Sequence, residues 1–239
     1  MTLTYLGVHA LFVLPALLVV AAARRSLPRS RVRVARVGLV AMTSVAVLYT
    51  TPWDNYLIDQ GVWWYGEGRV VARILSAPVE EYLFFVLQSL LTGFWLYAMA
   101  FEPRFEPGDF DRRPRVVGAA VNLAATAAGA ALLFVPWGYY LGAILVWACP
   151  LLALQWAVGG GYLRRSWRTW SVAVAVPTLY LWVVDRVAIG LGVWIISPDH
   201  TTGLSILGLP VEEAVFFLVT NLLLVYGLVL FEWVVDWWR

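Results

Sequence analysis

The sequence predicts an all-α polytopic membrane protein of seven transmembrane helices, arranged as two parallel three-helix repeats joined by a linking helix. Three observations predict it. The 239-residue chain is 62% hydrophobic and 13% charged, with a mean hydropathy of +0.76, which lies outside the soluble globular range. Its apolar windows fall into seven stretches, each near the ~20 residues that cross ~30 Å of hydrocarbon. One short signature also occurs twice, as Pro78-Val79-Glu80-Glu81 and Pro210-Val211-Glu212-Glu213. Each copy opens a long apolar run, and each is followed by a phenylalanine pair, Phe84-Phe85 or Phe216-Phe217.

The spans are expected near 3–23, 37–53, 79–101, 116–135, 139–158, 169–190 and 210–231. The first ends in Ala21-Ala22-Ala23, which resembles a cleavage site. Its leading end has no positive charge and arginines follow it, so it reads as a retained helix. The third and seventh open at Pro78 and Pro210, and proline in a first turn places Glu80, Glu81, Glu212 and Glu213 at helix starts. No charge occurs between Arg115 and Arg164, a stretch too long for one helix, and Pro136-Trp137-Gly138 divides it into the fourth and fifth spans. The sixth follows the arginines at 164–168. Tryptophans and tyrosines near the predicted ends, such as Trp53, Trp63, Trp137, Tyr140 and Trp194, fit interfacial anchors.

All 17 basic residues are arginine, and 14 of them fall on one side of the predicted membrane, at 24–36, 104–115, 164–168 and 239. Only Arg69, Arg73 and Arg186 fall on the other. Positive charge is retained in cytoplasmic loops, so a cell-membrane protein with its N-terminus outside and its C-terminus in the cytoplasm is expected. The arginine-rich first loop also suits contact with anionic lipid headgroups.

The repeat extends beyond the glutamates. Tyr5-Leu6-Gly7 with Pro15 matches Tyr140-Leu141-Gly142 with Pro150, and Asp54 before Gly61-Val62-Trp63 matches Asp185 before Gly192-Val193-Trp194. Both copies close on Phe-Glu, at 101–102 and 231–232. The chain is therefore one transmembrane domain, 1–239, with a first repeat over 3–102, a linking helix over 116–135 and a second repeat over 139–232. An odd number of linking helices gives both copies the same orientation. Asp54, Glu80, Glu81, Asp185, Glu212 and Glu213 then share one membrane face around one cavity.

The composition excludes several chemistries. A chain without lysine forms no Schiff base, which removes retinal binding from the choices for seven helices. The sole cysteine, Cys149, allows no intrachain disulfide or cysteine cluster. His9 and His200 are too few and too separate for a histidine metal site, and His9 reads as a lining or hydrogen-bonded residue. Gly66-x-Gly68 lacks the third glycine and the βαβ context of a dinucleotide loop, so no flavin is expected.

An ionisable group in or near hydrocarbon is costly unless paired, solvated or used. The helix dipole favours carboxylate anions at a helix start, whereas burial and like-charge proximity favour the protonated form. A close pair thus supplies an acid and a counter-charge in one small volume. Adjacent helical residues point about 100° apart, so the two members of each pair have different roles. Trp63, Trp64, Phe84, Phe85, Trp194, Phe216 and Phe217 offer ring faces to a cation, each worth ~0.5–2 kcal/mol, in a site that excludes water.

The duplicated Pro-x-Glu-Glu segments, each with an upstream Asp-x6-Gly-Val-Trp, resemble the membrane-integral lycopene cyclases of archaea, fungi and some actinobacteria. In some of these the two halves are separate subunits; here they share one chain. The resemblance covers nearly the whole length. It implies cofactor-independent cyclisation of the ψ-ends of lycopene to β-ionone rings, through γ-carotene to β-carotene, by protonation at C2, ring closure of C5=C6 onto the C1 cation and proton loss from C6. It assigns Glu80, Glu81, Glu212 and Glu213 as the acid/base and cation-stabilising set, Asp54 and Asp185 as supporting carboxylates, and Trp63, Phe84, Phe85, Trp194, Phe216 and Phe217 as lining. No metal or other cofactor is implied. The implied partners are the polyene, membrane lipid and other carotenoid-pathway enzymes, with no nucleic acid.

Other readings stay open from the residues alone. The glutamate pairs also suit helix-start capping, Asp54 a solvated loop, and Asp185 an ion pair with Arg186. A proton-coupled transporter fits repeated units with carboxylates, although its ionisable groups belong near the bilayer midplane. A membrane prenyltransferase needs aspartate-rich magnesium motifs, which are absent. A carotenoid hydratase passes through the same C1 cation.

Overall fold

The computed structural model describes residues 2–23, 29–99 and 101–238. Arg24, Arg25 and Arg239 of the arginine-rich side, and Ala100 at the end of the third expected span, lie outside the described residues. Helices make up 77% of the described residues, which bears out the mostly helical class. They are α1 (Tyr5–Ala23, with a π-helical stretch at His9–Val13), α2 (Arg29–Asp59), α3 (Val79–Ala98), α4 (Arg112–Leu132), α5 (Tyr139–Arg165), α6 (Trp167–Gly190) and α7 (Val211–Trp237).

Six of these helices, all but α3, are long and apolar enough to cross a membrane. The 20 residues of α3 suffice in length, but Glu80, Glu81, Gln88, Ser89 and Thr92 dilute its hydropathy. Those polar groups have protein partners. Gln88 Nε2 donates to Thr220 Oγ1 at 2.9 Å, Thr92 Oγ1 to Asn221 Oδ1 at 2.7 Å, and Asn221 Nδ2 to Thr178 Oγ1 at 3.0 Å. Polar groups satisfied between helices belong in the middle of a bundle rather than against lipid, and α3 packs against α1, α2, α6 and α7.

Proline at 78 and 210 occupies the cap position, one residue before the helix, with extended backbone (ψ 154° and 139°). The glutamates still fall in the first turn, as expected. Helix α2 runs beyond its expected end at 53, carrying Pro52, Asp54 and Asn55 inside it, and α4 begins at 112 because Asp111 caps it, accepting from Arg113 N at 3.1 Å.

The Gly-Val-Trp triplets are helix stops. Gly61 (φ +70°) and Gly192 (φ +65°) take the left-handed conformation; Gly61 N and Val62 N then donate to Ile58 O and Leu57 O, and Gly192 N and Val193 N to Ile189 O and Ala188 O. This is the six-residue termination that a left-handed glycine permits. Val62 and Val193 are fully buried, and the following tryptophans start strands β1 (Trp63–Tyr65) and β4 (Trp194–Ile196).

Those strands, not expected from the sequence, pair antiparallel, with Trp63 opposite Ile196 and Tyr65 opposite Trp194. Gly66 N donates to Val193 O and Ser197 N to Val62 O, which closes both ends of the ladder. Two small hairpins, β2 (Arg73–Ile74) with β3 (Ala77–Pro78) and β5 (Ser205–Ile206) with β6 (Leu209–Pro210), lead into α3 and α7.

A short turn at Pro136–Gly138 joins α4 to α5, as expected. Those helices approach closely: a Cβ on Gly142 would lie 2.7 Å from Gly129 O. At the far end of the bundle Asp109, 1% exposed, accepts from Arg165 Nε at 2.8 Å, Arg165 Nη2 at 2.7 Å, Trp233 Nε1 at 2.9 Å and, through Oδ2, Glu106 N at 2.9 Å. This node ties the 107–110 turn to α5 and α7.

Candidate active site

A cavity of about 50 Å³ lies where the first turns of α3 and α7 meet α2, α6 and the β1–β4 ladder. Four carboxyls line it: Asp54, Glu81, Asp185 and Glu213. Asp54, Asp185 and Glu213 are 2%, 3% and 6% exposed, so Asp54 is neither in a loop nor solvated. No basic side chain is among the lining residues. Asp185 does not pair with Arg186 among the described contacts; its Oδ1 accepts from Trp194 Nε1 at 2.8 Å, and Arg186 turns to Leu207 O.

Each lining glutamate is oriented by a phenol. Tyr65 OH donates to Glu81 Oε2 at 2.8 Å, and Tyr140 OH donates to Glu213 Oε1 at 2.8 Å. Burial, and then the charges of Glu81 and Asp54, push the Tyr65 phenol well above its ordinary value, so it remains a donor. Tyr65 in turn accepts from Trp63 Nε1 at 3.2 Å. Tyr5 packs on Trp194 with ring centres 4.8 Å apart, and Tyr140 on Trp63 at 5.6 Å, so residues from both ends of the sequence build one wall.

The other member of each glutamate pair points elsewhere, as the ~100° helical step requires. Glu80 and Glu212, both 0% exposed, are absent from the cavity lining. Glu80 Oε1 accepts from Val71 N at 2.8 Å, and Glu212 Oε1 from Thr202 N and Thr202 Oγ1, each at 2.7 Å. They hold the loops that precede α3 and α7. His9, 1% exposed, contacts Glu80 O through Nε2 at 2.9 Å and stacks on Phe84.

Of the aromatic residues expected to line the site, Trp63, Phe84, Trp194, Phe216 and Phe217 do so. Phe85 does not: it faces a second cavity, because it follows Phe84 by one helical step. Trp64 is 44% exposed, turned out by strand alternation. Sequence reasoning took Trp53 and Tyr140 for interfacial anchors, yet both line the cavity, and so does Tyr5. Tyr5 and Tyr140 belong to the duplicated Tyr-Leu-Gly, a signal that could have placed them; Tyr65 has Ile196 at the matching position and carried no such signal.

The fold and site define a helical membrane protein with carboxyls gathered in an aromatic cavity that no described basic side chain lines. A family model described as lycopene cyclase matches residues 2–100 and 137–234, and the chain belongs to that family. It is 49% identical over 244 residues to the lycopene beta-cyclase of Halobacterium salinarum (strain ATCC 29341 / DSM 671 / R1), with 100% of both chains covered. It is also 38% identical over 234 residues to the bifunctional lycopene cyclase/phytoene synthase of Gibberella fujikuroi, which covers 94% of this chain and 39% of that protein. No solved structure matches.

Proposed function

We propose that this chain is a lycopene beta-cyclase, closing the ψ-ends of lycopene into β-ionone rings by acid catalysis with no net redox change. The observation that carries this reading is the set of four carboxyls without a basic partner around one small aromatic cavity. Carboxyls so placed form a source and sink of protons rather than an ion-pair network. One of them delivers a proton to C2, the C5=C6 bond closes onto the C1 cation, and another takes the proton from C6. The proton count balances within each ring closure. Ring faces of Trp63, Trp194, Phe84, Phe216 and Phe217 shelter the cation, and the dry setting keeps water from intercepting it.

Within the site, we assign acid/base work to Glu81 and Glu213, each oriented by a tyrosine, with Asp54 and Asp185 beside them. Glu80 and Glu212 act as loop clamps. The assignment of Glu81 and Glu213 rests on their position at the cavity and that of Glu80 and Glu212 on their backbone bonds.

The same reading takes α3 as a seventh span and the chain as one domain of two parallel repeats around a linking α4. The matched helix stops at Gly61 and Gly192, the reciprocal bonds of Gly66 and Ser197, and the two matched stretches of the family model support it. The arginine bias supports a cell-membrane location with the carboxylate end outside and the C-terminus in the cytoplasm. Membrane lipid and neighbouring carotenoid enzymes are the remaining proposed partners.

Expression in a lycopene-accumulating host tests the activity. Cyclic carotenes in the pigment extract are expected. Unchanged lycopene beside folded, membrane-inserted protein would overturn the reading.

A further inference from the structure

The carboxylate cavity, at about 50 Å³, is far too small for the long conjugated chain attached to an end group. A second cavity of about 100 Å³ lies next to it, framed by α2, α3, α5 and α7. Its lining lies further along every one of these helices in the same direction: Met42–Thr50 against Asp54 on α2, Gln88 against Glu81 on α3, Trp147–Gln155 against Tyr140 on α5, and Thr220–Leu224 against Glu213 on α7. From Asp54 to Met42 is about 18 Å at ~1.5 Å per residue, so the two cavities follow one line along the bundle.

One layer of rings divides them. Trp53 faces the first cavity, Trp147 the second, and Phe216 both. The planes are nearly parallel: Trp53 and Trp147 at 4.7 Å and 22°, Trp53 and Phe216 at 5.8 Å and 4°. The Trp147 indole N–H has no hydrogen-bond partner among the described residues, so stacking holds that ring where a polar bond could have tied it. Of the polar residues at the second cavity, Tyr49, Gln88, Ser89 and Thr220 are bonded within the protein, and Gln155 donates to Leu223 O while its buried Oε1 has no partner among the described residues; the rest of the lining is mostly hydrocarbon and rings. Val45 and Tyr49 on its border are 51% and 37% exposed on the lipid-facing side of α2.

We propose that this second cavity takes the stretch of conjugated chain next to the end group while the end group lies among the carboxyls, and that the Trp53–Trp147–Phe216 layer parts and both cavities widen to let the flat chain through. The proposal rests on the cyclase reading and adds to it a site that selects for chain length. Trp147 and the second-cavity residues act as positioning residues; they do not touch the reacting atoms. The occupant follows from continuity: a chain whose end is in the first cavity can leave it across a one-ring wall that it shares with this apolar space.

The test fills the second cavity from two opposite walls, with Ala46→Trp on α2 and, separately, Leu151→Trp on α5. Purified full-length protein in lipid vesicles is given lycopene or a truncated acyclic polyene with the same end group. KM for lycopene is expected to rise about tenfold or more in both variants, as overpacking of a filled space predicts. The kcat on the truncated polyene is expected to stay at the parent value, which also certifies the fold. A second readout is the circular dichroism induced in the polyene absorption band when lycopene binds; it is expected in the parent protein and weakened in both variants. Parent-like KM and dichroism for lycopene in both variants overturn the proposal. A parent protein that cyclises neither polyene overturns the cyclase reading alone, because the dichroic band and its loss still report where the chain lies.

Discussion

The hydroxyl of Tyr140 donates to Glu213 Oε1 at 2.8 Å, with both residues buried to 3% and 6% exposure. Removing that hydroxyl leaves the carboxyl without its orienting donor and keeps the ring packed on Trp63. Tyr140→Phe is expected to lower kcat about tenfold, the scale of one lost hydrogen bond to a charged or reacting group, while the amount of membrane-inserted protein stays the same. Initial rates of cyclic carotene formation measure it. An unchanged rate removes Tyr140 from the site.

The two members of each glutamate pair are expected to separate by substitution. Glu81→Gln and Glu213→Gln lose the exchangeable proton and should lower activity by about 100-fold or more. Glu80→Gln and Glu212→Gln keep an acceptor for Val71 N and Thr202 N, and most activity should survive. Alanine at 80 or 212 strands those amides and should destabilise the fold by about 1–3 kcal/mol. Pigment analysis beside thermal unfolding in detergent distinguishes the classes, and equal loss in all four glutamine variants would contradict the division of roles.

Gly61 and Gly192 have open space where a Cβ would go, so a substitution there meets strain and no clash. Alanine at either site is expected to cost about 1–2 kcal/mol, from forcing a side chain into the left-handed region. A lowered melting temperature for each single variant checks this, and a parent-like temperature counts against the helix-stop role.

Asp109 should make stability depend on acid. Burial alone would raise its carboxyl, but hydrogen bonds from Arg165, Glu106 N and Trp233 outweigh it and hold the value below the ordinary one. A depressed folded value gives stability that is complete above the unfolded value, about pH 4, and fades as pH falls through the folded one. Asp109→Asn is expected to melt lower at neutral pH and to lose less between neutral pH and about pH 3. Melting curves across that range provide the measurement; parallel losses in both proteins would show that another group carries the acid response.

Much of this architecture was legible in the sequence because hydrocarbon imposes long apolar runs and because the glutamate signature occurs twice. What escaped was set by geometry finer than hydropathy. Hydropathy falls at Asp54, yet α2 continues to Asp59, because Asn55 Oδ1 accepts from Ser76 N and Ala77 N and the helix has its stop further on, at Gly61. The cavity takes Glu81 and Glu213 and turns Glu80 and Glu212 to the loops, a choice set by which side of each helix start faces the bundle. The same single-residue step sends Phe84 to one cavity and Phe85 to the next. Trp53 and Tyr140 lay where interfacial anchors are expected, and nothing in composition separates a ring against headgroups from one against a buried carboxyl.

The ladder between residues 63–65 and 194–196 has a consequence for the chain's continuity. The strands and their flanking bonds join residues more than a hundred positions apart, and the helices of the site press on one another directly. Nothing in that arrangement draws on the peptide bonds of the 102–111 connection. Two separately translated fragments, meeting in the bilayer, would carry every interlocking surface needed to dock and rebuild the hollow they share.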